Sequence, residues 1–237
     1  MTAADEHALV AAVCAAPDAD LPRLVYADWC DDHGRPERAE FVRLACQLAA
    51  ALGDDGRRAE RGPLRDRVSR LGRAHGDRWR AELPADKAVH WGRIRRGFVA
   101  EARVAFDGRT PADAGLLDRV FAAAPVQELR LVNVLPDLPR CLAHPRLGQL
   151  ARLELVPVGW AGAATPGFFA RLAAHPWPAR LEELIITNWS GRADGLERLA
   201  EAPPGRPFPR LLVRHHGPLP ARPALEARFG DRLEVRT

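Results

Sequence analysis

The sequence predicts an α/β protein, with a small N-terminal helical domain followed by an array of repeated units whose strands pair into a parallel sheet. Three observations predict it. First, a strand of the form L-x-x-L-x-L recurs at Val126 to Leu131, Leu150 to Leu155, Leu181 to Ile186 and Phe208 to Val213, with a shortened copy at Asp231 to Val235. Second, the central leucines Leu129, Leu153, Leu184, Leu211 and Leu233 are spaced by 24, 31, 27 and 22 residues, and Pro145, Pro176 and Pro203 each stand eight residues before the leucine of their unit. Third, residues 1–52 lack this phrase and carry their apolar residues at helical spacing instead.

The first helix is predicted from a capping pair, Thr2 and Asp5, with Leu9, Val10 and Val13 as its apolar stripe and Pro17 as its stop. The second starts near Asp20 with Pro22 in the first turn, where a missing N–H costs little. Its inner face is read as Leu21, Val25 and Trp29 with Leu24 beside them, and it ends near Gly34. The third begins at Pro36, buries Phe41, Leu44, Ala45 and Leu48, and stops at Gly53.

Gly53 to Gly56 (GDDG) reads as a joint, after which Pro63 opens a further helix carrying Leu64, Val68 and Leu71 among arginines. Trp79 and Trp91 flank a turn at Pro84 and are read as packing residues that seal the first repeat. From His90 to Phe106 the period changes to two, with Val99, Ala102 and Val104 in the inward slots, which predicts a capping strand or a hairpin through Gly97. The domains are therefore placed at residues 1–52 (helical), 53–90 (connector) and 91–237 (array).

In the array a helix precedes each proline: LLDRVFAAAP to Pro125, PRCLAHP to Pro145, FFARLAAHP to Pro176 and LERLAEAP to Pro203. Proline cannot continue a helical hydrogen-bond ladder, so it marks each helix end. The spacing of the units is that of leucine-rich repeats, and a solenoid with a parallel sheet of five or six strands is expected. No unit can bury its leucines alone. In standard repeats an asparagine three residues past the last strand leucine bonds neighbouring backbones. Here Asn133 and Asn188 come two residues after Leu131 and Ile186, and Pro157 takes that place in the unit of Leu155, so irregular turns are expected.

Cys14, Cys30, Cys46 and Cys141 show neither framework nor C-x-x-C spacing and read as small apolar residues in a reducing compartment. The N-terminus has acids where a signal peptide carries positive charge, and no apolar run approaches the roughly 18 residues of a membrane span. A cytoplasmic protein without membrane contact is expected. The net charge of +4 is unevenly laid out, with nine acids against four arginines in residues 1–50 and seven acids against thirteen bases in residues 51–100. Lys87 is the only lysine, a bias that reads as a GC-rich coding habit.

The segment Leu21 to Ala50, LPRLVYADWCDDHGRPERAEFVRLACQLAA, resembles the repeat-companion domain, a bacterial family module marked by an RLVYADWLEE-type helix, a glycine turn and a GEF(I/V)RLQ-type helix. Arg23 to Trp29 match without a break, as do Glu40, Phe41, Arg43 and Leu44. Cys30 replaces the usual leucine and Ala39 stands where the family prefers glycine. The family commonly precedes degenerate leucine-rich repeats. The resemblance implies a partner-binding protein and carries no catalytic residues.

In an L-x-x-L-x-L strand the leucines point inward and the residues between them outward. The outward pairs are Glu101/Arg103, Glu128/Arg130, Arg152/Glu154, Glu183/Ile185, Arg210/Leu212 and Arg232/Glu234. Cross-strand ion pairing could satisfy their charges internally. Alternatively they form a recognition strip, in which Ile185 and Leu212 are expected as an exposed apolar spot. The candidate protein-binding residues are thus Arg152, Glu154, Glu183, Ile185, Arg210 and Leu212, facing an unidentified protein partner.

Other constellations carry less. Tyr26, Asp28 and Trp29 read as structural, and Asp28, Cys30, Asp31, Asp32 and His33 lack the second pair a zinc site needs. His215 and His216 are adjacent, so on a strand they face opposite sides. The arginines of Arg57 to Arg80 make a nucleic-acid adaptor the alternative reading, though without interleaved aromatics they fit a solvated helix face better. With no GxSxG, P-loop, HExxH or dinucleotide fingerprint, no enzyme activity, cofactor or metal is expected.

Overall fold

Four helices, α1 (Ala3–Ala15), α2 (Leu21–Asp32), α3 (Pro36–Leu52) and α4 (Arg61–Ala81), follow one another in the computed structural model. It describes residues 3–106, 115–134, 137–156, 164–188, 195–203, 208–215, 217 and 219–236. The chain divides into two compact units, one of residues 1–102 with 118–126, the other of 103–117 with 127–237.

In the first unit α2 carries Pro22 in its first turn, as expected, but its inner face differs from the one read off the hydrophobic pattern. Leu21 is 72% exposed, and Leu24 and Val25 also face solvent. Of the expected face only Trp29 is buried, and with it the helix buries Arg23, Tyr26, Ala27 and Cys30. Arg23 explains the rotation: at 1% exposure its guanidinium donates to the carbonyls of Pro17 (2.8 Å), Ala19 (2.9 Å) and Arg96 (3.1 Å). Three backbone acceptors offset the desolvation of the cation, and the helix follows its arginine inward. Val13, Tyr26, Cys30, Val42 and Phe98 pack around it into one cluster.

α3 turns Phe41, Val42, Ala45 and Cys46 inward, whereas Leu44 and Leu48 are only half-buried. Trp79 packs on Phe41 with ring centroids 4.6 Å apart and closes the helical unit through α4, a place different from the repeat seal expected of it. Trp91 is half-buried, its indole donating to the Pro84 carbonyl at 3.1 Å. The predicted hairpin is present: β2 (Ile94–Arg95) and β3 (Phe98–Val99) pair antiparallel, Arg95 opposite Phe98. Arg96 and Gly97 form its two-residue turn with φ of 47° and 87°. A Cβ on Gly97 would lie 2.7 Å from Val42 Cγ2 and 2.9 Å from Val42 Cα, so the turn also needs glycine in order to touch α3.

The remaining strands, β1 (Val89–Trp91), β4 (Glu101–Ala105), β5 (Glu128–Val132), β6 (Arg152–Val156), β7 (Glu183–Asn188), β8 (Arg210–His215) and β9 (Leu233–Arg236), form a seven-stranded sheet in the order β1-β4-β5-β6-β7-β8-β9. That exceeds the five or six expected, because β1 joins at the side of β4. From β5 to β9 every pairing is parallel, and the central leucines meet in register, Leu129 with Leu153, then Leu184, Leu211 and Leu233. The chain is therefore an α/β protein with an N-terminal helical region and a mostly parallel sheet.

Between strands run α5 (Leu116–Ala123), α6 (Leu138–Leu142) with a 3-10 turn at Pro145–Gln149, α7 (Ala164–Ala174), a 3-10 turn at Leu196–Glu201 and α8 (Arg222–Phe229). The helix expected before Pro203, LERLAE, is present in 3-10 form, a tighter one suited to a short connection. Leu153, Leu155, Leu184, Ile186, Leu211 and Val213 are fully buried on one side of the sheet, with Leu150, Phe169, Leu172, Leu199 and Leu225 from the connections also buried. Each such side chain contributes roughly 1.5–3 kcal/mol. Trp177, Phe208 and Phe229 continue this core as successive ring contacts of 6.1 Å and 4.9 Å.

The step from one unit to the next repeats a backbone device. Ala151 N–H donates to the Gln127 carbonyl and Glu182 N–H to Ala151, both at 2.8 Å and one residue before their strands, whereas β8 is preceded by Pro209, which has no N–H, and its first residue Arg210 donates to the Glu182 carbonyl at 2.8 Å. Asn133, with φ of 63°, turns the chain out of β5, and its side-chain amide donates to the Phe106 carbonyl at 3.2 Å, so it does bond a neighbouring backbone despite its shifted position. Pro157 lies outside the described residues. Among those residues no helix is long and apolar enough to cross a membrane.

Candidate functional site on the strand face

Alternation along the strands puts Arg152, Glu154, Glu183, Ile185, Arg210 and Leu212 on one face, opposite the leucines. The register brings them together: Arg152 lies beside Glu183, Glu183 beside Arg210, Glu154 beside Ile185, and Ile185 beside Leu212. Arg130 of β5, Arg214 of β8 and Glu234 of β9 share the same face. Arg232, expected there too, stops one residue short of β9 and donates to the Phe208 carbonyl at 3.2 Å.

The expectation of an exposed apolar spot is corrected. Ile185 is 1% exposed and Leu212 2%. Charged side chains roof them over. Arg214 on β8 reaches across β7 to Glu154 on β6 at 3.2 Å, and Thr187 on β7 donates to the same Glu154 oxygen at 2.8 Å. That bridge passes over the strand that carries Ile185. Beside Leu212, Glu234 receives both Arg210 and Arg236. Long guanidinium side chains cover apolar surface with their stems while their heads stay wet, so the strand pattern alone could not reveal the burial.

The strip is a woven ion-pair network. Arg152 Nε meets Glu183 at 2.8 Å and its Nη1 stands 3.9 Å from Glu128, while Arg130 stands 3.7 Å from Glu154. The guanidiniums beside Glu234, Arg236 first, hold its carboxyl below the usual range. The two signs are layered. Side chains of Arg130, Arg152, Arg210, Arg214 and Arg236 are 35–60% exposed, against 9–26% for Glu128, Glu154, Glu183 and Glu234. The carboxylates lie in the sheet and the guanidiniums stand above them, so the outer surface is more basic than the formal charges imply.

The other sequence candidates disperse. Asp28 and Asp31 both receive Arg43, at 2.6 and 2.5 Å, while Cys30 is buried and His33 stacks on Trp29 at 4.1 Å. His215 is buried with Nδ1 3.3 Å from the Gly217 carbonyl, and His216 lies outside the described residues. Along the arginine segment, Arg57, Arg61, Arg67 and Arg80 pair with Glu60, Asp55, Glu40 and Asp77, which removes part of the charge a polyanion would use. The buried arginines Arg23 and Arg38 escaped the sequence reading. Their only signal is an arginine on the apolar side of a helix, which hydrophobicity assigns to solvent.

No protein-family model matches this chain, and neither a curated protein nor a solved structure does.

Proposed function

We propose that the chain is a non-catalytic protein-interaction module, a repeat-companion head followed by a leucine-rich-repeat-like array that presents its strand face to a protein partner. The layered strip carries this reading. An in-register face with guanidiniums outermost and carboxylates beneath suits a partner with an acidic, hydrogen-bond-accepting surface, which electrostatics would steer and orient. The regular leucine register and the repeated backbone step support the repeat-array reading.

The test is affinity capture from native cytosol at physiological salt, comparing the natural chain with an Arg152→Ala, Arg210→Ala, Arg214→Ala variant shown by circular dichroism to remain folded. A reproducible protein captured by the natural chain, weakened by added salt and lost with the variant, is the expected result. Capture indifferent to the three arginines removes the strand face from the reading. Nuclease-sensitive material that depends on the α4 arginines would replace it with the nucleic-acid adaptor. Replacing Ile185 and Leu212 is not a clean test, since both are buried.

A further inference from the structure

A second feature lies in the helical unit and is independent of the strand face. Between α1, the start of α3, the end of α4 and the β3 strand is a cavity of about 520 Å³, within the ~300–1,000 Å³ range of small-molecule sites. Arg38, in the first turn of α3, lines it and is only 6% exposed. Tyr26, Trp79 and Phe98 give it aromatic walls.

The aromatic rings account for Arg38 only in part. The guanidinium carbon sits 4.7 Å from the Trp79 ring centroid, 5.2 Å from Phe98 and 5.9 Å from Tyr26. Such contacts act on the face of a guanidinium, whereas its hydrogen bonds lie in its plane. In that plane Nε and Nη1 are buried without a hydrogen-bond partner, and so is the indole Nε1 of Trp79. All three orphaned atoms are donors. Burial also pulls the Arg38 guanidinium below its ordinary pKa, against the opposing pull of the Tyr26 hydroxyl and of Glu82.

The nearby carboxylates are already engaged elsewhere. Arg35 takes Glu6 at 2.5 Å and Glu82 at 2.8 Å, and the Tyr26 hydroxyl donates to the same Glu6 oxygen at 3.1 Å. Neither acid forms an ion pair with Arg38. Glu6 and Glu82 balance Arg35 and Arg38 in formal charge along the lining, so what is missing is not net charge but an acceptor for the Arg38 and Trp79 donors, and the apolar walls leave room for a hydrocarbon body. A doubly charged phosphate fits less well, because it would face Glu6 and Glu82 across a single unpaired cation.

We propose that this cavity binds an organic monocarboxylate with an apolar or aromatic body, its carboxylate accepting from Arg38 and its body lying against Trp79 and Phe98. The same group can come from a free small acid or from the C-terminus of a peptide ending in an aromatic residue. The experiment titrates the full chain with phenylacetate and with Gly-Gly-Phe, following the Trp79 indole N–H by NMR, with phenylacetamide and the peptide amide as neutral counterparts.

Saturable shifts with an acid, roughly tenfold or more tighter than with its amide, are expected, and the tighter of the two acids identifies the source. Arg38→Met should remove that preference. Since it perturbs the core, a second variant is made at Ala123, which lines the cavity from the end of α5: Ala123→Phe fills the cavity and leaves Arg38 in place, and it should abolish the shifts. No saturable shift at millimolar acid, equal binding of acid and amide, or undiminished binding in Ala123→Phe would overturn the proposal. None of these outcomes bears on the strand face, whose arginines lie in the other unit.

Discussion

Arg23 and Arg96 hold one another's surroundings in place. Arg23 Nε donates to the Arg96 carbonyl at 3.1 Å, and the Arg96 guanidinium returns to the Asp18 carbonyl at 2.6 Å and to the Asp20 carboxylate. The hairpin turn is thereby fastened to the loop between α1 and α2. Replacing Arg23 by Met keeps the stem but leaves the carbonyls of Pro17, Ala19 and Arg96 without their donor. A loss of roughly 3 kcal/mol in urea unfolding is expected, and Arg23→Lys should restore only part of it because an ammonium cannot fork to three acceptors. An unchanged midpoint for Arg23→Met would show that the clamp carries no net stability.

Gly97 answers to two constraints at once, a φ of 87° and the nearness of Val42. Gly97→Ala should cost about 2 kcal/mol. Adding Val42→Ala relieves the contact with Cγ2 but not that with Cα, so a double-mutant cycle should show partial rescue. Full additivity would mean that the backbone conformation alone sets the cost.

Burial pushes the thiols of Cys46 and Cys141 up to about 12. None of the four cysteines is in a disulfide and all are buried, so Ellman's reagent at pH 8 should find almost no thiol in the native chain and four after denaturation. The linkage has a definite sign. A thiol that ionises near 9.0 when unfolded and near 12 when folded contributes stability that is fully present below the first value and is lost as pH rises towards the second. Urea midpoints should accordingly fall between these pH values, and less steeply in Cys46→Ala.

Glu154 is the knot of the strand-face network, taking Arg214, Arg130 and Thr187. Glu154→Gln should destabilise by about 1 kcal/mol at low salt, with a smaller loss as salt screens the natural pair. Combined with Arg214→Gln, the loss should be less than the sum of the single losses. Strict additivity would separate the two residues energetically.

Leucine spacing made the parallel ladder legible, because a period of two and a fixed register leave few alternatives once several strands repeat. Hydrophobicity misplaced α2, since Arg23 was counted as a solvent residue while Leu21 and Val25 were counted as core. The helix obeys the three carbonyls waiting for Arg23, and those come from other segments, one of them 73 residues away. The same holds for Ile185 and Leu212. Their face was readable from the strand period, but their burial depends on arginines reaching from neighbouring strands, which no local pattern encodes. Arg38 was invisible for both reasons.

Among the described residues, β9 is an edge strand of the sheet. From β5 to β9 each strand pairs in parallel with the next, with the central leucines side by side. What restrains such a ladder from recruiting a foreign strand is the character of its margin. β9 is four residues long, nowhere fully buried, and bears Glu234 and Arg236, features that make it a poor seed for intermolecular β-pairing. Trading those two charges for valines would turn this edge of the described sheet into an invitation, with filament growth as the visible result.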